Sequence, residues 1–295
     1  MKFGQVPNPE EIDFTIPDDR EESKAVLAKS KAKAKDMSIH IGCAKWNKTD
    51  LKGFYPKGVK DELGYYSTQF NCIELNATFY RLFKPDVYDG WYEATPEGFK
   101  FFPKLTQSIS HFRRLKEVQE LVDISVTNMS HLKEKLGMPF LQMHNNFGPK
   151  DIDRVVAFVE NWKQYKAPLA MEFRKTEWYN DPDVSEQLFE LLESNKITNV
   201  LVDTAGRRDL MHMRLTTPTA FVRWVGANDP SDYSRLDEWV ERIADWKKQG
   251  LQELNFFVHQ NLEKESPLLS AYLIKKLNKK LGTDLQIPKT LTRDN

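Results

Sequence analysis

The sequence predicts an α/β fold, a single (β/α)8 TIM-type barrel preceded by an N-terminal extension. Short β-rich runs recur eight times between residues 38 and 260, and amphipathic helical stretches separate most of them. Strands alternating with helices require parallel pairing through crossovers, and eight such units make a barrel. No glycine-rich phosphate turn of the GxGxxG kind follows any run, which disfavours the alternative, an open doubly wound sheet. A chain of 295 residues, 40% of them hydrophobic, is the right size and has core enough for one such domain.

Residues 1–37 form the extension and 38–295 the barrel. The extension begins with VPNPEEIDFTIPDD, punctuated by proline, and continues as REESKAVLAKSKAKAKD. Its acids (Asp18, Asp19, Glu21, Glu22) precede its lysines (Lys24, Lys29, Lys31, Lys33, Lys35). That order suits a helix macrodipole and predicts a solvated helix near 18–35, with a lysine arm for nucleic acid as the alternative. The strand runs are IHIGCAKW (39–46), CIELNATF (72–79), FKFFPKL (99–105), PFLQMHN (139–145), PLAMEFR (168–174), NVLVDT (199–204), AFVRWVG (220–226) and ELNFFVHQ (253–260). Between them, RLKEVQELVDISVTNMSHLKEKLG, DIDRVVAFVENWKQY, DPDVSEQLFELLESN and SRLDEWVERIADWKKQG carry helical periodicity, two of them stopped by Gly137 and Gly250. The segment AGRRDLMHMRLTTPT after the sixth run is weaker and predicts a short helix or a loop.

Parallel strands are covered on both faces, so their polar residues are the informative ones. In the second run Cys72, Glu74, Asn76 and Thr78 share one face, and Ile73, Leu75 and Ala77 the other. The polar face should look into the barrel. Lys104, Gln142 with His144, Glu172 with Arg174, Asp203, Arg223 and His259 or Gln260 recur near the ends of the later runs. The C-terminal strand ends are where barrel enzymes hold their chemistry. Buried ionisable groups are costly unless they pair with each other or with a ligand. Glu74, Glu172 and Asp203 against Lys104, Arg174 and Arg223 nearly balance. Such a set suits proton transfer, hydrolysis or carbonyl chemistry. Lys104 reads either as a base or Schiff-base amine, or as the ion-pair partner of Glu74 or Glu172. His144 and His259 with the three acids could instead hold a divalent metal, although no HExxH or tight ligand spacing supports one. Trp46, Trp178 and Trp224 could stack on a ligand or serve as core; His40 and His131 read as structural.

Equal numbers of basic and acidic residues, 43 each, argue against a dedicated nucleic-acid partner. Two cysteines without CxxC spacing make neither a disulfide framework nor a structural zinc site, and read as buried thiols in a reducing compartment. No apolar run reaches membrane-spanning length, and the N-terminus has no signal pattern. The expectation is a cytoplasmic protein with a small-molecule substrate, no membrane partner and no cofactor, its oligomeric state open.

Several stretches also resemble one family. IGCAKW, KGFYP, YYSTQFNCIELNATFYRL, ATPEGFKFFPKL, Ser110-His111, LGMPFLQM, MEFRKTEW and FVRWVG, spread over residues 39–262, are similar to the DUF72 (YecE-like) proteins, with Tyr65 to Leu82 the most specific part. The resemblance implies a (β/α)8 barrel with a polar cleft and no established activity. By matching position it adds Tyr80, Arg81 and His111 to the cleft, beside Glu74, Asn76, Lys104, Gln142, Glu172, Arg174, Asp203 and Arg223. The chain departs from the family pattern at AKWN (44–47), at QMHNNF (142–147), at Lys175 in place of a histidine, and at HQNLEKES after the eighth run. His144 and His259 stand where they could compensate. The expected function is an enzyme, a hydrolase or lyase, acting on a small anionic or polyhydroxylated molecule, with Glu74, Lys104, Glu172 and Asp203 catalytic and the others binding. A metal-dependent hydrolase and a non-catalytic binding protein are the alternatives.

Overall fold

The computed structural model describes residues 4–30 and 37–290. Among them, eight parallel strands alternate with helices. β1 (Ser38–Cys43), β8 (Glu253–Gln260), β7 (Thr219–Gly226), β6 (Thr198–Asp203), β5 (Ala170–Glu172) and β4 (Phe140–Gln142) pair in that order, and β2 (Cys72–Leu75) pairs with β3 (Lys100–Pro103). Two seams join these sheets. Between β3 and β4, Gly137 donates its N–H to the Phe101 carbonyl at 2.7 Å and Leu105 donates to Phe140 at 2.8 Å. Between β1 and β2, side chains replace the ladder. Cys43 N–H donates to the Tyr66 hydroxyl (2.8 Å), which donates to the Cys72 carbonyl (3.0 Å). The Asn71 amide likewise accepts from Ile41 N–H and donates to the Ile39 carbonyl. The strands come so close here that a Cβ on Gly42 would lie 2.3 Å from the Cys72 carbonyl oxygen, so only glycine fits.

The helical layer follows from apolar spacing and end signals. Before β1 comes α1 (Glu21–Lys29); α2 (Glu62–Ser67), α3 (Ala77–Tyr80), α4 (Pro85–Glu93), α5 (Gln119–Met129), α6 (Ile152–Trp162), α7 (Glu177–Asn180), α8 (Pro182–Ser194), α9 (Ser231–Gln249) and α10 (Ser266–Leu281) come between and after the strands. Asp181 caps α8, accepting from Asp183 and Val184, and Pro182 fills its first position. Leu188 and Leu192, one turn apart, are both buried. Gly250 and Gly282, both at positive φ, end α9 and α10. The weak segment after β6 is a short 3-10 turn, Ala205–Leu210.

Strand alternation sorts the core. Cys72, Phe102, Phe140, Ala170, Val200, Val202, Phe221 and Phe257 meet in the middle of the barrel. Their strand neighbours Ile73, Leu75, Phe101, Leu141 and Met171 face outward into one helix-packed core, and Leu201, Val222, Trp224, Phe256 and Val258 into another. A polar layer therefore lies one step beyond the apolar centre, toward the C-terminal strand ends.

Two sequence expectations need correction here. The second strand stops at Leu75 rather than 79, because Asn76 turns helical (φ −77, ψ −16) and starts α3. The N-terminal helix spans Glu21–Lys29 and is not solvated on all sides: Ser23, Val26 and Leu27 are buried. The Ser23 hydroxyl donates to the Met213 carbonyl and accepts from Leu215 N–H. Lys31, Lys33 and Lys35, the heart of the expected lysine arm, lie outside the described residues. Among the described residues no helix is long and apolar enough to cross a membrane.

Candidate functional site

Alternation aims Glu74 on β2, Gln142 on β4, Glu172 on β5, Arg223 on β7 and His259 on β8 inward above the apolar centre, with Lys104 one residue past β3. All but Glu172, which lies buried just beneath, line a cleft of about 700 Å³ together with Asn76, Tyr80, His111 and Arg174. Arg223 is the hub. Its Nε and Nη2 donate to the two Glu74 oxygens at 2.9 and 2.8 Å, a bidentate pair. Its Nη1 donates to Glu172 Oε2 at 2.7 Å and to Gln142 Oε1 at 3.2 Å. Arg174 Nε donates to the other Glu172 oxygen. Glu74 further accepts from Asn76 Nδ2 (2.7 Å), and His259 Nε2 lies 3.0 Å from Glu74 Oε2.

The two arginines thus neutralise the two glutamates, and Lys104 is left outside the exchange. Its Nζ donates to Gln142 Oε1 at 2.9 Å and sits 4.0 Å from the Phe79 ring centroid. Among the described residues it forms no ion pair with a carboxylate. The partner expected for Lys104 is therefore corrected: Arg223 is geometrically suited to bind both carboxylates through its planar fork, and it displaces the lysine from that role.

The electrostatic consequences follow. Burial, reinforced by the nearby Arg223 and Arg174 charges, brings the Lys104 amine down to about 7. Burial works against ionisation of Glu172, but Arg174 and Arg223 outweigh it and hold the carboxyl at about 2. Glu74, where burial is likewise overcome by Arg223 and His259, stays well below the usual carboxylate range. Arg223 loses to burial less than it gains from Glu74 and Glu172, and is held more firmly protonated than usual. Burial and Lys104 bring His111 down to about 4, so its ring is neutral near pH 7. The strand-end network consequently holds Glu74 and Glu172 as anions, Arg223 and Arg174 as cations, and the Lys104 amine poised between its protonation states.

The remaining expected residues disperse. His111 rides on a turn of π-helix, Ser108–Phe112, with Ser110 Oγ 2.8 Å from its Nδ1. His144 packs its ring edge-on to His111 at 5.1 Å but does not line the cleft. Tyr80 stands 71% exposed at the mouth. Arg81 is exposed, its guanidinium over the Phe83 ring at 4.2 Å, and lies off the cleft. Asp203 requires a correction. It was expected among the inward acids, but on β6 it is Val200 and Val202 that face the barrel interior, so Asp203 faces the helices. There it pairs with Arg208 and Arg235 and accepts from Trp239 Nε1 at 2.7 Å. Trp178 and Trp224 are buried core residues, while Trp46 does line the cleft.

Residues that sequence reasoning missed complete the wall: Lys45, Asn47 and Asp50 after β1, Phe79 on α3, and Asn261 and Glu263 after β8. Lys45 and Asn47 both donate to Asp50 Oδ2. Glu263 accepts from Ser266 Oγ at 2.6 Å, and burial raises its carboxyl. Its spacing of four from His259 was the one available signal, and it is a weak one. Among the described residues no group of three His, Cys, Asp or Glu side chains is disposed to hold a metal ion.

Comparison with known proteins agrees with this architecture. Residues 40–292 match the family described as "Protein of unknown function DUF72". The chain is 27% identical to UPF0759 protein YecE of Escherichia coli (strain K12) over 265 residues, 82% of this chain and 94% of that one. It is 28% identical to UPF0759 protein YunF of Bacillus subtilis (strain 168) over 162 residues, 51% of this chain and 55% of that one. A crystal structure of a DUF72 family protein from Enterococcus faecalis V583 superposes with a TM-score of 0.67 at 18% identity, over 84% of this chain and 99% of that one, and shares the fold.

Proposed function

The chain belongs to the DUF72 family, and from that premise and the cleft geometry we propose that it is an enzyme acting on a small, polar, anionic substrate at the C-terminal end of the barrel. The observation that carries the reading is the Lys104 amine, buried at the cleft floor, hydrogen-bonded to Gln142 with no carboxylate partner among the described residues, and brought down to about 7. A group near the working pH exchanges protons most effectively, so Lys104 is the acid–base residue. Glu74 and Glu172, held ionised by Arg223 and Arg174, are fixed charges rather than proton carriers. They hold the arginines in place, and Arg174 offers positive charge at the cleft wall. Neutral His111 can hydrogen-bond a substrate hydroxyl, and Asn76 and Tyr80 add polar contacts at the mouth. Anionic substrates are favoured because Arg174 and the protonated fraction of Lys104 present positive charge to the cleft, while Glu74 and Glu172 are engaged by arginine and Asp50 by Lys45.

The test is ligand-dependent melting with matched pairs, such as gluconate against glucose and glycerol phosphate against glycerol. The expected result is that the anions raise the melting temperature of the wild type and not of Lys104→Met or Arg174→Met. Equal shifts in all three proteins, or none with any anion, would overturn the reading.

A further inference from the structure

We infer that Lys104 is a covalent nucleophile, and that the substrate class of the cleft is a small anionic aldehyde or ketone captured as a Schiff base. This rests on the reading of the cleft as a catalytic site and makes it more specific. Three features of the geometry point there. Lys104 is buried, yet it lines the cleft. Its hydrogen-bond partner Gln142 is an uncharged acceptor, itself held by Arg223, and accepts from the neutral amine, whose lone pair is then free to attack. Phe79 covers one side at 4.0 Å, and the positive charges of Arg174 and Arg223 lie on the same cleft floor. Desolvation together with neighbouring cations is how a lysine is made nucleophilic at neutral pH, and the value of about 7 agrees. A general base alone could equally be a carboxylate; here Glu74, which reaches the cleft, and Glu172 beneath it are both ionised and locked to arginine.

The step balances without a co-reactant. The Nζ lone pair adds to the carbonyl carbon, a C–N bond forms, and the π pair moves to oxygen. One amine proton passes to that oxygen and gives the carbinolamine. The hydroxyl then leaves with the remaining amine proton as water, the C–O bond breaks, and the imine forms. A proton from solvent gives the iminium, whose charge replaces that of the original ammonium beside Glu74 and Glu172. The anionic part of the substrate is drawn to Arg174.

The experiment uses the full chain with glyoxylate or pyruvate and sodium cyanoborohydride at pH 7, followed by peptide mass mapping. Lys104 should be alkylated at least about tenfold faster than exposed lysines such as Lys24 and Lys248, since far more of it is neutral at that pH. Lys104→Arg, checked for folding by circular dichroism, should lose that adduct alone, and Arg174→Met should reduce the advantage. Modification of Lys104 no faster than of surface lysines would overturn the inference. Trace acetylation of the wild type from pH 5 to 10 separates the two levels of the argument. An amine midpoint near 7 with no imine overturns the nucleophile alone, whereas an ordinary lysine midpoint overturns the catalytic reading as well.

Discussion

Two buried ionic networks lie on opposite sides of the same barrel wall, and they differ in what is left over. The outer one sets Asp203 and Asp232 against Arg235 and Arg208. Arg235 is sandwiched between Phe14 at 4.3 Å and Trp224 at 4.5 Å, and Arg208 donates to the Phe14 and Thr15 carbonyls. The acids and bases there match, and the N-terminal segment covers them. The inner one sets Glu74 and Glu172 against Arg223 and Arg174, equally matched, and then adds Lys104 and His259 beside an open cleft. Burial and charge are similar in both, so neither identifies a site. The surplus amine does.

The first way to break this comparison is to remove each hub. Arg223→Met leaves Glu74 with no arginine and Glu172 with Arg174 alone, and should destabilise the protein by about 3–5 kcal/mol, the usual cost of breaking a buried ion pair. Arg235→Met should cost less, since Asp203 keeps Arg208 and Trp239. Urea unfolding of the two variants checks the order, and equal losses would erase the asymmetry.

A second test uses pH. The folded Lys104 midpoint of about 7 lies below its ordinary value of 10.5, so between those values the unfolded chain binds the extra proton. Stability therefore rises with pH through that window, with a slope approaching ~1.4 kcal/mol per pH unit for this one group. Lys104→Met should lose that slope and be the more stable protein at pH 6. Glu172 gives a slope of the same sign in a lower window: its folded value of about 2 lies under 4.5, so its stabilising contribution is complete above 4.5 and is lost as pH falls toward 2. Unfolding curves from pH 6 to 10 for both proteins decide the matter; parallel curves would mean Lys104 titrates normally.

The smallest effect belongs to the covered network. Phe14→Leu removes the ring over Arg235 while keeping an apolar side chain, and should cost about 1 kcal/mol, in the range of a partly buried cation–π contact. The accessibility of the cleft amine to acetylation should not change. A change there would join the two networks that the structure keeps apart.

How much of this was legible in the sequence depends on alternation. Eight runs with helices between them were readable because burial imposes period two and period 3.6 on apolar residues. Glu74, Gln142, Glu172, Arg223 and His259 were readable because each is a polar residue interrupting such a run. Asp203 was misplaced by the same logic: in NVLVDT it shares a face with Asn199 and Leu201, and polarity alone does not say whether that face meets the barrel interior or the helices; Val200 and Val202 meeting Phe221 and Phe257 settle it. The end of β2 was missed because a four-residue helix leaves no periodic signature in ATFY. Lys104's partner could not be foreseen, since it depends on whether lysine or arginine from a distant strand reaches the two glutamates first. Lys45, Asp50 and Glu263 sit in loops, where chain direction rather than pattern decides what faces the cleft.

The central claim is that Lys104 is a neutral, available amine near pH 7, and titration of that amine tests it most directly. With 13C-labelled lysine, the Cε resonance absent from the Lys104→Arg spectrum reports its protonation. The account predicts a midpoint near 7, whereas a midpoint near the ordinary lysine value of about 10.4 would contradict it.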